Sequence, residues 1–223
     1  MVTYPYISDE RNVHMGNVIK FKRKDNESNL DKNTGEKSDI MCKILRNLSG
    51  RKAEEILELY ADAYSLPIDI EKIVKDMGIK IEDIDFTELE KKHELPIGCI
   101  LGATIADGED VIILNRKNSS RNRKRFTIAH EIAHCCLHTD SLMEQHVEFR
   151  RENSDADPKE HLANIFAGEL LIPEKQLKGI YSQLLLPKLS TLVEIFKVSS
   201  SVMAARLDYL NLAYYKDLQI SEG

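Results

Sequence analysis

Apolar residues recur at helical spacing over residues 52–64, where Ile56, Leu57, Tyr60, Ala61 and Tyr64 share one face. Pro67 opens a second helical stretch over 68–77, and Gly78 supplies its C-terminal stop. From there the period changes to two. Ile79 and Ile81 alternate with Lys80 and Glu82, and residues 97–105 and 111–115 read as two more strands around the turn signal at 106–110. Helical spacing returns over 125–137. A polar stretch, 139–157, then leads to Asp157 and Pro158, a cap residue followed by the imino acid favoured at a first helical position. Glu160 stands three places after that cap, and the helix is expected to stop near Leu171, ahead of Ile172-Pro173. Two further helices, 189–196 and 200–210, flank the turn-and-cap residues Val198-Ser199-Ser200-Ser201. This order predicts an α+β fold with helices first, a small three-stranded sheet, a central helix and a closing helix pair.

The first fifty residues break the pattern. Between about 8 and 39 they are polar and charged, with Lys22, Arg23, Lys24, Asp25, Asn26 and Glu27 in succession. Such a stretch offers too little apolar surface to offset its ordering entropy. The expected organisation is therefore a flexible tail over 1–50, with order beginning near Met41 to Ile44, a core over 51–187 and a C-terminal helix pair over 188–223 packed on it. A hydrophobic share of 42% in 223 residues is enough for that core.

A net charge of −6 argues against a protein whose main task is holding nucleic acid, which needs a strong positive field. One local exception is the run 116–125, with six positive charges and no acid, which reads equally as a basic patch or as a solvated loop. No apolar stretch approaches the roughly 18–20 residues that span a bilayer. The first residues carry no leader pattern, and Cys42, Cys99, Cys135 and Cys136 outline no disulfide framework. The cytoplasm is the expected compartment.

Within the 125–137 helix stand His130, Glu131 and His134. Histidines four apart lie one above the other on a helix, so their imidazoles can converge on one ion. A glutamate beside the first can take a proton from water next to that ion. A catalytic zinc commonly has three protein ligands, so a third is sought among His138, Glu144, His146, Glu148, Asp155, Asp157, Glu160, His161 and Glu169. His138 sits two turns beyond His130, a rise of about 12 Å, too far to share an ion with it, which leaves it a supporting or a surface role. Glu160 can present a carboxylate from the first turn of a second helix, with Asn164 one turn on to support it. It can equally be the acidic partner of the Asp157 cap, and spacing alone leaves the two open.

Three separated motifs narrow the choice. Asn115 at the end of Ile113-Leu114-Asn115, the run from Arg125-Phe126-Thr127 to His134, and the segment from Glu160 through Ala163-Asn164, Phe166-Ala167 and Leu170-Leu171 to Pro173 follow in order. Together with the closing helices they resemble the ImmA/IrrE family of metallopeptidases over roughly residues 52–212. The resemblance implies a compact zincin-like (minigluzincin) core with a C-terminal helix-turn-helix-like bundle. It also implies Zn2+ held by His130, His134 and Glu160, with Glu131 as the general base. Asn164, His138, His146 and Arg125 are then candidates for supporting the ligands or holding an oxyanion. Ala133 stands where the family more often has glycine, a change that keeps helix propensity. Relatives typically cleave a helix-turn-helix repressor, inducing stress, mobile-element or defence genes, and such a repressor is the implied substrate. The rival expectation is a non-catalytic regulatory or toxin–antitoxin partner that binds a repressor through a metal-stabilised fold. Cys135 and Cys136 are expected as small buried residues rather than as metal-sensing thiols. Oligomeric state and activating signal are not encoded in any pattern visible along the chain.

Overall fold

The computed structural model describes residues 6–7, 19–22, 42–62, 65–107, 110–143, 146–147, 149–151, 157–184 and 186–215. Its elements follow in chain order, beginning with β1 (Tyr6–Ile7), β2 (Ile19–Lys22), α1 (Lys43–Leu48), α2 (Ala53–Tyr60) and α3 (Ile70–Asp76). The sheet-forming region holds β3 (Lys80–Ile84), α4 (Thr87–Lys92), β4 (Ile100–Asp107) and β5 (Asp110–Arg116). The long helix α5 (Arg121–Leu137) comes next, then α6 (Thr139–Met143), β6 (His146–Val147) and β7 (Phe149–Arg151). Last are α7 (Pro158–Leu171), α8 (Glu174–Tyr181), α9 (Leu189–Phe196) and α10 (Ser200–Tyr209).

The main sheet has the order β3-β5-β4-β7. β3 runs parallel to β5, with Ile81 opposite Ile113, whereas β4 and β5 form an antiparallel hairpin with Thr104 opposite Ile113. The sheet is therefore four-stranded rather than three-stranded. The added strand, β7, pairs antiparallel with β4 and comes from the polar 139–157 stretch. Its pairing partner lies far off in sequence, so no local alternation announces it. A second sheet, β1-β2-β6, joins the N-terminal strands to β6.

Both faces of the main sheet are covered. Val111 and Ile113 point into the large core, where they meet Ile128, Ala129 and Ile132 of α5. Leu114, Ile100 and Ala103 point to a smaller cluster on the opposite face, closed by Phe86 and by the partly buried Leu89. Helix α4 was not visible as a separate helix, because its six residues (TELEKK) carry only one apolar side chain. It is held instead by Glu90, which is fully buried. One Glu90 oxygen accepts the Ile100 N–H at 2.9 Å and pairs with Arg116, and the other accepts the Gly98 N–H at 2.9 Å.

Cys42, Leu45 and Leu48, at and in α1, are buried in the packed core, in the stretch that starts near 41–44. Helix α8 was not anticipated; it follows Pro173 directly and buries only Leu177.

Helix α5 is central: every residue from Thr127 to Cys136 is buried, the polar Thr127, His130, Glu131 and His134 among them. The Ser120 hydroxyl caps its start by accepting the Arg123 N–H at 3.3 Å. At its end the Thr139 hydroxyl donates to the Cys135 carbonyl at 2.9 Å. Helix α7 packs across it through Ala163 and Ala167, small residues that are fully buried and permit a close approach.

Candidate metal centre

Helices α5 and α7 bring three ligand-bearing side chains together. His130 and His134 stand one turn apart on α5, and their Nε2 atoms lie 3.1 Å from each other. Glu160, in the first turn of α7, places Oε2 3.2 Å from His130 Nε2 and Oε1 3.2 Å from His134 Nε2. All three side chains are buried. Asp157 caps α7 by accepting the Lys159 N–H at 2.9 Å, so Glu160 is directed at the histidines while the cap is made without it.

The donor set fits a tetrahedral divalent ion. Zinc bonds of about 2.0–2.1 Å set ligand atoms about 3.3–3.4 Å apart at the tetrahedral angle, close to the separations found. The tautomers fit as well. The Asn164 carboxamide oxygen can only accept, so His130 donates Nδ1–H to it at 3.0 Å and turns its Nε2 lone pair toward the cluster. His134 Nδ1 lies 3.2 Å from His138 Nδ1, so a His134 whose Nε2 serves a metal donates its other N–H to a neutral His138. Burial pulls His138 down to about 4, which keeps its ring neutral at physiological pH. When His130 and His134 are protonated rather than holding an ion, burial opposes ionisation of Glu160, but their hydrogen bonds and charge outweigh it and hold the carboxyl well below its usual range.

Glu131 points to the neighbouring sector of α5. Its Oε2 accepts the hydroxyl of Thr104 on β4 at 2.7 Å, and both residues are almost wholly buried. Thr104 lies outside the motifs that drew attention to the helix. Its one signal was a hydroxyl on the core-facing side of a strand whose neighbours there, Val111 and Ile113, are aliphatic.

Other candidates fall elsewhere. Arg125 is buried at the start of α5, where its guanidinium donates to the Ile68 carbonyl at 2.9 Å and the Lys197 carbonyl at 3.2 Å. It is engaged in holding chain turns together rather than in the cluster. The backbone of His146 pairs with Lys20 in β6, and its side chain lies outside the described residues, as do Glu144, Glu148 and Asp155. Only residues 117–120 of the basic run 116–125 lie in a loop, between β5 and α5. Arg116 ends β5 and pairs with Glu90, residues from 121 onward belong to α5, and Lys124 pairs with Asp83. Cys135 and Cys136 are buried, and burial raises both thiols, Cys136 to about 12, so they are neutral core residues.

The family model of the M78 peptidases, described as the IrrE N-terminal-like domain, matches residues 74–208, more than half of the chain. The chain belongs to this family. The M78 match spans β3 to α10 and so includes the cluster, the sheet that supports it and the C-terminal helices. Family membership supports peptidase chemistry at this site and agrees with the ImmA/IrrE resemblance of its motifs. A search of the curated proteins gives no match to this M78 chain. Among its described residues no helix is long and apolar enough to cross a membrane.

Proposed function

We propose that the chain is a zinc-dependent endopeptidase with a zincin-like (minigluzincin) core, acting in the cytoplasm on a helix-turn-helix repressor. The observation that carries the enzymatic part is the buried cluster of His130, His134 and Glu160 beside a buried Glu131. Two imidazoles and one carboxylate form the donor set of a hydrolytic rather than a closed structural zinc, because three protein ligands leave a coordination position open. Zinc held there would supply a Lewis acid that polarises a carbonyl and makes water more acidic.

The chain's own groups divide the remaining work. Asn164 and His138 fix the two imidazole planes and tautomers from behind, and Glu160 balances part of the ion's charge. The Glu131 carboxylate, placed one residue from the first ligand, takes a proton from water and returns it to the leaving amine. Burial of Glu131 and Thr104 keeps competing water away from that carboxylate. The choice of a repressor as substrate rests on the family's motifs.

Glu131→Gln tests the assignment. The purified full chain is mixed with a repressor encoded beside it, with and without a chelator, and zinc is quantified in parallel. The expected outcome is chelator-sensitive cleavage by the wild type, and full zinc content with no cleavage in the variant. Cleavage that survives Glu131→Gln overturns the mechanism. Stable binding of the repressor without cleavage by the wild type favours the non-catalytic partner role.

A further inference from the structure

We infer that Thr104 is a positioning residue for Glu131, and that strand β4 is part of the machinery that aims the general base; the inference rests on the peptidase reading of the site. Residues two apart on a strand share a face, so Gly102 and Thr104 both face α5. A Cβ added at Gly102 would stand 2.2 Å from Thr127 Cγ2, 2.9 Å from the Leu114 carbonyl oxygen and 3.4 Å from Glu131 Oε1. Only a residue without a side chain allows β4 to lie this close to α5 at the level of Glu131. The close approach brings the Thr104 hydroxyl, one step further along the same face, to 2.7 Å from Glu131 Oε2.

Packing alone does not account for a threonine here. Thr104 is 1% exposed, and valine has nearly the same shape without a polar atom to satisfy. The hydroxyl is explained by the carboxylate it reaches. That bond ties one oxygen of Glu131 to the sheet and restricts rotation of the carboxylate. Its other oxygen, Oε1, is held at a set orientation for the proton it must carry. Thr104 touches neither substrate nor metal in this scheme; it acts through Glu131.

The test uses the full chain as Thr104→Val and Thr104→Ser. With zinc bound and the repressor as probe, Thr104→Val is expected to lower kcat roughly 10–100-fold, the range for one hydrogen bond to a charged group. KM and zinc content are expected to stay close to wild type, the thermal midpoint to fall by several degrees because a buried Glu131 oxygen loses its donor, and Thr104→Ser to recover most of the rate and of the midpoint. A second readout needs no turnover. In the metal-free chain labelled with 13C at glutamate carboxyls, the Glu131 signal is assigned by its loss in Glu131→Gln. That signal is expected to move in Thr104→Val and return in Thr104→Ser. Wild-type kcat in Thr104→Val overturns the inference, and so does an unmoved Glu131 signal or a serine variant as slow as the valine one. If the wild type cleaves nothing while the signal moves and is rescued, the contact stands as the aiming device and the peptidase reading is what fails.

Discussion

Glu90 is a severe test of how the sheet holds the site, because its side chain is fully buried and yet ionised. Glu90→Gln removes the charge that Arg116 faces, while the Arg116 side chain remains only 15% exposed. It also replaces one of two acceptor oxygens by an amide nitrogen. That nitrogen must face either the Gly98 N–H or the pair of donors from Ile100 and Arg116, and in each case donor meets donor. Breaking a buried pair from one side costs about 3–5 kcal/mol, and about 3 kcal/mol is expected here because glutamine keeps the shape and one acceptor. Urea unfolding of the metal-free chain at pH 7 measures it. The pH dependence supplies a second check. Burial alone would raise the Glu90 carboxyl, but the backbone N–H groups and Arg116 overcome it and leave the folded-state value lowered. A lowered folded value means stability that is present above the unfolded value of about 4.3 and is lost as pH falls through the folded one. The gap between wild type and Glu90→Gln is therefore expected to narrow below about pH 4. A gap under about 1 kcal/mol at pH 7, or one that stays constant on acidification, refutes the argument.

Two further outcomes follow from the side chains around the cluster. His138→Ala and Asn164→Leu each remove a partner from a ligand imidazole, and each is expected to weaken zinc binding about 10–100-fold in a chelator competition; unchanged affinity in both denies them an orienting part. Arg125→Met removes two charge-assisted bonds to carbonyls and is expected to cost about 3 kcal/mol in urea unfolding while kcat of the folded fraction stays near wild type. A selective loss of kcat would return Arg125 to the reaction.

What could be read along the chain depended on how far apart the partners stand. The two histidines and Glu131 are four residues or fewer apart on one helix, so their relation follows from helical geometry. Ile79 and Ile81 alternating with Lys80 and Glu82 exposed β3, whereas β5 showed as the β-branched run Val111-Ile112-Ile113, apolar on both faces because both are covered. Glu160 was undecidable from spacing, since a capping acid and a ligand occupy the same place in a first turn. The decision lies in contacts across 26 to 30 residues. Thr104 and Arg116 were opaque for the same reason: Thr104 meets its partner 27 residues away and Arg116 meets Glu90 at a distance of 26. Strand β7 lacked a signal because three residues are too few to show a period. Arg125 misled, because a cation beside a metal motif suggests chemistry, whereas burial commits it to carbonyls 57 and 72 residues away.

The bonds from the start of α5 to the far end of the chain bear on synthesis. Asn122 donates to the Val198 carbonyl at 3.0 Å, 76 residues downstream, and Arg125 reaches Lys197. Chains are made from the N-terminus, and domains fold as their residues emerge. The metal-bearing helix therefore leaves the ribosome long before the downstream acceptors of its first two turns exist. Until residues 197–198 arrive, the Arg125 guanidinium has only its upstream acceptor, the Ile68 carbonyl, and the Asn122 carboxamide lacks the Val198 carbonyl, so the start of the helix that carries His130 and His134 is held from one side alone. The tertiary seating of this helix is thus completed late, after translation has passed the turn between α9 and α10.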